Sequence, residues 1–497
     1  MHMNVIPTFS NALLSVAVLF AFGVQAQVQL GNDIDGEAEG DRSGRVVSMP
    51  DLYTVAIGAS GNSDAGSDAG HVRVYAWISG SWVQKGADID GPAIADNDGW
   101  SVSMPNPDMV AIGATEYNLL GTRPGHVRIF EWSGSAWLQK GSTLLGEGLG
   151  DGFGGQVSMP DAFTVAIGAT FNDGNGANAG HVRIYTWNGM DWEQKGTDID
   201  GEAAGDNAGW DVCMPDANTV AIGAPYNDGA ATNAGHARIF EWDGSAWIQK
   251  GSAIEGEATF TGWGARLAMP SANTLAVGSA YDDTNGTNAG SVRIYDWNGT
   301  SWVEKGNGIF GEAEDDLMGG GGISMPNANT IAIGTGNNDG NGSDAGHVRI
   351  FQYNGSAWVQ AGVDIDGEAT GDRSGDLAIS MPDLNTVAIG GMYNDGNGSN
   401  SGHVRVYSLS TITSMDNTFG TTTSIQPNPT NGMLTINLGT YNTPVRVTLR
   451  DAQGRALNTT TYNNVQPITL PIEGVPGIYF VELHNQNNTI TRMVLKQ

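Results

Sequence analysis

The sequence predicts an all-β chain: a seven-bladed β-propeller with four-stranded blades, followed by a small C-terminal β-sandwich. Three observations carry this. The motif (V/I/L)-A-(I/V)-G returns with its glycine at Gly58, Gly113, Gly168, Gly223, Gly278, Gly334 and Gly390, a spacing of 55 or 56 residues. Glycine supplies 73 of the 497 residues while the helix formers Lys and Glu are scarce, a balance that favours turn-rich β-structure. Each copy also holds four short β-like runs separated by turn residues.

The third copy shows the unit, with runs at 156–159, 164–169, 181–187 and 192–196. Pro160-Asp161, the stretch Asn172 to Gly176, and Asn188-Gly189 divide them. Pairs such as Asn298-Gly299 and Asp243-Gly244 call for type I′ hairpins, because that turn needs positive φ. Each unit is therefore a four-stranded antiparallel meander. Small residues in the first two runs (Ala166, Gly168) and large ones in the last two (Tyr185, Trp187, Trp192) order the strands from axis to rim. The repeated tryptophans, among them Trp77, Trp82, Trp132, Trp137, Trp242 and Trp247, are expected to pack that rim rather than form a sugar platform. The seventh copy ends at Val406-Tyr407 without a W-x-Q-K-G-like strand, and an orphan strand of that type, Val28-Gln29-Leu30-Gly31, precedes the first copy. The N-terminal segment is expected to supply the missing outer strand and so remove an exposed sheet edge.

An apolar run from Ala12 to Gly23, followed by Val24-Gln25-Ala26, reads as a secretory signal peptide over residues 1–26. It is too short to span a bilayer, and no other segment is apolar enough to be transmembrane. The propeller is expected over 27–408, a Ser/Thr-rich linker over 409–424, and a separate domain over 425–497. The net charge is −31, and residues 425–497 carry five Arg/Lys against three acids, or +2; residues 1–26 carry none, leaving −33 on 27–424. Such a surface repels nucleic acid and anionic membranes and suits cations, basic partners or neutral sugars. The single cysteine, Cys213, excludes an intramolecular disulfide and a Cys-based zinc cluster, and reads as a small core residue.

Phe153-Gly154 before one strand and Ile222-Gly223-Ala224-Pro225 after another resemble the two halves of the FG-GAP repeat of integrin-α-type propellers. The likeness is strongest to a bacterial variant, visible here at Asp198 to Gly209, Val220 to Pro225 and Asn394 to Tyr407. The integrin calcium loop between strands one and two has no counterpart, since that link reads only Met-Pro-Asp-Ala-Asn-Thr. After the linker, the stretch from Ile425 to Gly432, then Leu434-Thr435-Ile436 and later Gly477-Ile478-Tyr479-Phe480-Val481, resembles the type IX secretion sorting domain. This resemblance implies a Gram-negative cell, passage through the periplasm, contact with the type IX machinery, and release or attachment at the outer-membrane surface.

Six histidines share one repeat position (His71, His126, His181, His236, His347, His403), with Ser291 in the remaining copy, and an arginine follows two residues later in every copy. Equivalent residues in separate blades lie on a ring and cannot meet in one site, so an architectural role is expected, with the arginines pairing to carboxylates between blades. Carboxylates gather in two loop sets that a meander places on one face. The first is D-I-D-G at Asp33/Asp35, Asp88/Asp90, Asp198/Asp200 and Asp364/Asp366, followed by Asp41, Asp96, Asp151, Asp206 and Asp372. The second is D-x-N at Asp173/Asn175, Asp283/Asn285, Asp339/Asn341 and Asp395/Asn397. Hard oxygen ligands at alternate positions with glycines between them make Ca²⁺ the expected cation; the alternative is that Asp and Asn make Asx-turns without metal. Departures from the repeat that suit catalysis are few: Glu116, Arg123, Phe260, Trp263 and the adjacent pair Asp315 and Asp316. The expected function is a binding or adhesion module for an extracellular glycan or protein. The alternatives are a secreted polysaccharide hydrolase or lyase, and a structural envelope protein.

Overall fold

The computed structural model describes residues 27–115, 124–409, 424–427, 429–437, 445–451, 455–462, 467–484 and 489–497. The expected signal peptide and most of the expected linker lie outside the described residues. The chain divides into two compact units, Met1–Thr411 and Ile412–Gln497.

The first unit holds seven sheets, each a blade, and in six of them the strands run in chain order from axis to rim. Blade three is typical, with Phe153–Asp161, Thr164–Ala169, His181–Trp187 and Trp192–Gln194. The second strand is buried along its whole length in every blade, because both its faces are covered by neighbouring blades. Its repeated glycine answers a close approach: a Cβ on Gly223 would sit 2.0 Å from the carbonyl oxygen of Gly264 in the next blade.

Blade seven is completed by the N-terminal segment. Val28 pairs with Ser408 and Gln29 with Tyr407, antiparallel to the third strand, His403–Ser408. The D-I-D-G segments differ from the expectation that they are only links. Ile199–Asp200 pairs back onto His181 and Val182 of blade three, and Ile34–Asp35 onto His403 and Val404 of blade seven. The third strand is longer than the fourth, so its free edge needs a second partner. The outer strand breaks at Gly196, whose φ of +81° and 2.7 Å approach to the Trp242 ring admit no side chain, and then rejoins the same edge. Ile199 seals that return by burying its side chain.

The residues repeated at the rim fasten one blade to the next. Trp247 Nε1 donates to the carbonyl of Lys195 at 2.8 Å, and the same bond recurs from Trp82, Trp137, Trp192, Trp302 and Trp358. Lys195 in turn donates to the carbonyl of Ala217 at 2.6 Å and lies about 5 Å above the rings of Trp242 and Trp247. Arg238 donates to the carbonyl of Asp200 at 2.6 Å, so the repeated arginine also reaches the preceding blade. The tryptophans are thus interblade staples.

The second unit packs a three-stranded sheet (Ser424–Gln426, Met433–Asn437, Ile468–Pro471) and a four-stranded sheet (Val445–Asp451, Ala456–Tyr462, Gly477–His484, Thr489–Lys496) around one core. Alternate residues point inward: Leu434 and Ile436 from one sheet meet Val447, Leu449, Val481 and Leu483 from the other.

Candidate functional site

The two acidic loop sets do share one face, where they interlock. Asn175, Asn285, Asn341 and Asn397 each donate a side-chain amide to a carbonyl of the next blade's incoming link, at Gly201, Gly311, Gly367 and Gly36, over 2.7–2.8 Å. Asp173, Asp283, Asp339 and Asp395 each accept from the backbone N–H five residues on, at 2.7–2.9 Å. Among the later carboxylates, Asp206 is buried and caps two backbone N–H groups, of Glu202 and Ala203, while accepting from Asn227. These contacts hold the loops in place by local hydrogen bonding of the kind Asx residues make.

The D-I-D-G pairs divide their work. The carbonyls of Asp35, Asp90, Asp200 and Asp366 accept from the next blade's arginine, Arg73, Arg128, Arg238 and Arg405. Burial and the neighbouring first aspartate raise the carboxyls of Asp35, Asp90 and Asp366 above the usual range. The first aspartates, Asp33, Asp88, Asp198 and Asp364, face the Nδ1 atoms of His403, His71, His181 and His347 at 3.4–3.7 Å. A glutamate of the incoming link joins each of them. Burial, with the adjacent arginine, depresses His236 to about 3 and His347 to about 4. Blade two compensates for a lost pair: Pro92 and Thr143 stand where the glutamate and first aspartate would be, and buried Asp98 contacts His126 Nε2 at 3.0 Å and pairs with Arg128.

The place where the repeat breaks most sharply is the axis. The residue after each link glycine opens the first strand at the loop-rich end, and it reads Arg45, Trp100, Gly155, Trp210, Ala265, Gly320 and Asp376 around the ring. The next position supplies Gln156, Asp211 and Arg266. Of these, Arg45, Trp100, Trp210, Asp211 and Arg266, together with Phe171, line an axial cavity of about 500 Å³. The Arg45 guanidinium stacks 3.5 Å from the centroid of the Trp100 ring, and its Nε has no hydrogen-bond partner. Burial, with the like charge of Arg266, lowers Arg45 to about 10. Burial raises Asp211 despite Arg266, and raises Asp376 against the opposing charges of Arg373, Arg266 and Arg45. Trp210 meets Tyr226 edge to face, with centroids 5.7 Å apart.

Sequence reasoning did not find this constellation. Its signal was available: two adjacent positions after an invariant link glycine that vary from copy to copy in an otherwise regular repeat. Of the catalytic candidates, Glu116 and Arg123 lie outside the described residues. Phe260 is exposed and Trp263 is buried against Tyr295. Asp315 accepts from Asn288, and Asp316 is buried and caps the backbone N–H groups of Glu312 and Ala313. Asp315 and Asp316 therefore staple loops rather than flank a cleft. Cys213 lies on the first strand of blade four, where most blades have serine, and packs against the core.

Residues 424–497 match the family of secretion system C-terminal sorting domains. This marks the chain for export by the type IX machinery, through the periplasm to the outer-membrane surface or beyond. No curated protein matches the chain. Among solved structures, the β-propeller domain of the trilobed protease from Pyrococcus furiosus is similar at 8% identity and TM-score 0.39, over 69% of this chain and 90% of that one. The acylaminoacyl peptidase of Pyrococcus horikoshii is similar at 9% identity and TM-score 0.38, over 79% of this chain; this chain spans 57% of the peptidase. A protein of unknown function from Dyadobacter fermentans is similar at 9% identity and TM-score 0.36, over 77% and 99% of the two chains. Among the described residues no helix is long and apolar enough to cross a membrane.

Proposed function

We propose that the chain is an exported binding module whose axial mouth takes an extracellular glycan bearing an acidic group. The observation that carries this is the concentration of Arg45, Arg266, Trp100, Phe171 and Trp210 around one cavity in an otherwise repetitive and acidic ring. Aromatic faces suit the C–H faces of sugar rings, and guanidinium groups suit carboxylate or sulfate. The surrounding negative charge would repel an anionic polymer elsewhere and favour its docking at the two arginines. The FG-GAP-like repeat pattern supports the same adhesive reading.

The test is binding of neutral, uronate-bearing and sulfated oligosaccharides by the full chain and by Trp210→Ala and Arg266→Ala. Both variants are expected to weaken acidic-glycan binding tenfold or more while melting like the parent. Binding untouched by both would place the ligand elsewhere. Cleavage of a bound polysaccharide would favour the hydrolase or lyase reading, and the absence of any glycan or protein ligand the envelope-protein reading.

A further inference from the structure

We propose that blades one, six and seven each hold a transition-metal ion of the Zn²⁺ type between one histidine and two carboxylates. The trios are His71, Glu37 and Asp88; His347, Glu312 and Asp364; and His403, Glu368 and Asp33. In each, the three ligand atoms lie within 4.8 Å of one another.

The spacing is long for hydrogen bonds and right for a shared ion. His71 Nδ1 stands 3.7 Å from Asp88 and 4.0 Å from Glu37, and His403 Nδ1 stands 3.4 Å from Asp33 and 3.8 Å from Glu368. Both imidazoles are 1% exposed or less, and neither Nδ1 has a hydrogen-bond partner. Donors about 2.1 Å from a tetrahedral ion stand about 3.4 Å apart, so a small inward adjustment completes the geometry. A buried imidazole aimed at two carboxylates without bonding either is otherwise costly.

The surroundings orient each carboxylate. Gln84, Gln360 and Gln29 donate to one oxygen of Asp88, Asp364 and Asp33 at 2.5 Å, which turns the other oxygen toward the imidazole. Arg73, Arg349 and Arg405 hold one oxygen of Glu37, Glu312 and Glu368 at 3.1–3.6 Å. Such outer contacts are how ligands of a metal site are held in place. A nitrogen donor favours Zn²⁺ or Co²⁺ over Ca²⁺, which takes six to eight oxygens.

Trios of the same spread also form in blade three, from Glu147, His181 and Asp198, and in blade two, from Asp96, Asp98 and His126, but there an arginine already holds the aspartate. In blade three the oxygen of Asp198 that faces His181 is also bonded by Arg183, which grips Glu147 as well. In blade two His126 contacts Asp98, and blade five has Ser291. In blade four Ala253 stands in the place of the first aspartate, and Glu202 and Glu255, though 3.7 and 3.9 Å from His236 Nδ1, do not close to a trio of the same spread.

The test is equilibration of the chelator-stripped full chain with Zn²⁺, Co²⁺ or Ca²⁺, followed by elemental analysis and, for Co²⁺, visible absorption. The expected result is three equivalents of Zn²⁺ or Co²⁺, with one lost in each of Asp88→Asn, Asp364→Asn and Asp33→Asn and all lost in the triple variant. These substitutions keep side-chain volume and the glutamine contact, so unchanged far-ultraviolet dichroism in chelator separates metal loss from misfolding. No uptake, uptake indifferent to the triple variant, or Ca²⁺ bound in preference would overturn the proposal.

Discussion

Ser380, in the first strand of blade seven, accepts a 2.9 Å hydrogen bond from the backbone N–H of Met49 in the first strand of blade one. The same bond joins Ser48 to Met104, Ser103 to Met159, Ser158 to Met214 and Ser324 to Met381. Between blades four and five, where Cys213 occupies the serine position, Asp211 accepts from the N–H of Leu267 at 2.7 Å instead. The ring is therefore closed at the axis by Ser380 and at the rim by Val28–Gln29.

Ser380→Ala leaves the Met49 N–H without its partner and is expected to cost about 1–3 kcal/mol. Deleting residues 27–31 exposes the third strand of blade seven as an open edge, and soluble yield should collapse. Denaturant melts and expression trials check both. A deletion variant that melts like the parent would show that the rim closure adds nothing.

Trp247→Phe keeps most of the ring but removes its N–H to the Lys195 carbonyl, at an expected cost of about 1–2 kcal/mol. Trp247→Ala also opens a cavity under Lys195 and Trp242 and should cost about 3–5 kcal/mol. If the rim tryptophans instead served as a sugar platform, glycan affinity would fall with stability unchanged.

Acid should destabilise the propeller through its buried His236. His236, set among Arg238, Glu202 and Glu255, is held at about 3, whereas an unfolded histidine titrates near 6.5. Between those values the unfolded chain binds more protons, so stability is full above pH ~6.5 and falls with pH, by up to about 1.4 kcal/mol per unit for this histidine. His126 works in the opposite sense: burial alone would lower it, but Asp98 raises it, so its contribution is present at low pH and lost as pH rises through its folded value. Melting temperatures from pH 7 to 4 test the balance, and His236→Gln should flatten the slope. A profile indifferent to that substitution would contradict the assignment.

Removing residues 425–497 is expected to leave a folded propeller, because the two units have separate cores. The truncated chain should accumulate in the periplasm. Its normal appearance at the cell surface would show that export does not depend on the sorting domain.

The blades were legible from sequence because their causes are local. A 55-residue period, Asn-Gly turns that need positive φ, and glycines at points of close backbone approach specify each meander without reference to the others. Even closure could be read, since a missing strand at Val406-Tyr407 and a spare one at Val28 leave unpaired backbone groups that only each other can satisfy. The axial mouth was decided by tertiary structure alone. Arg45, Trp100, Trp210, Arg266 and Asp376 are separated by whole repeats and meet only because seven first strands converge on one axis. The same holds for the histidine trios. Asp88 faces His71 because the D-I-D segment rejoins the third strand's free edge, a pairing set by the unequal lengths of two neighbouring strands rather than by any local pattern.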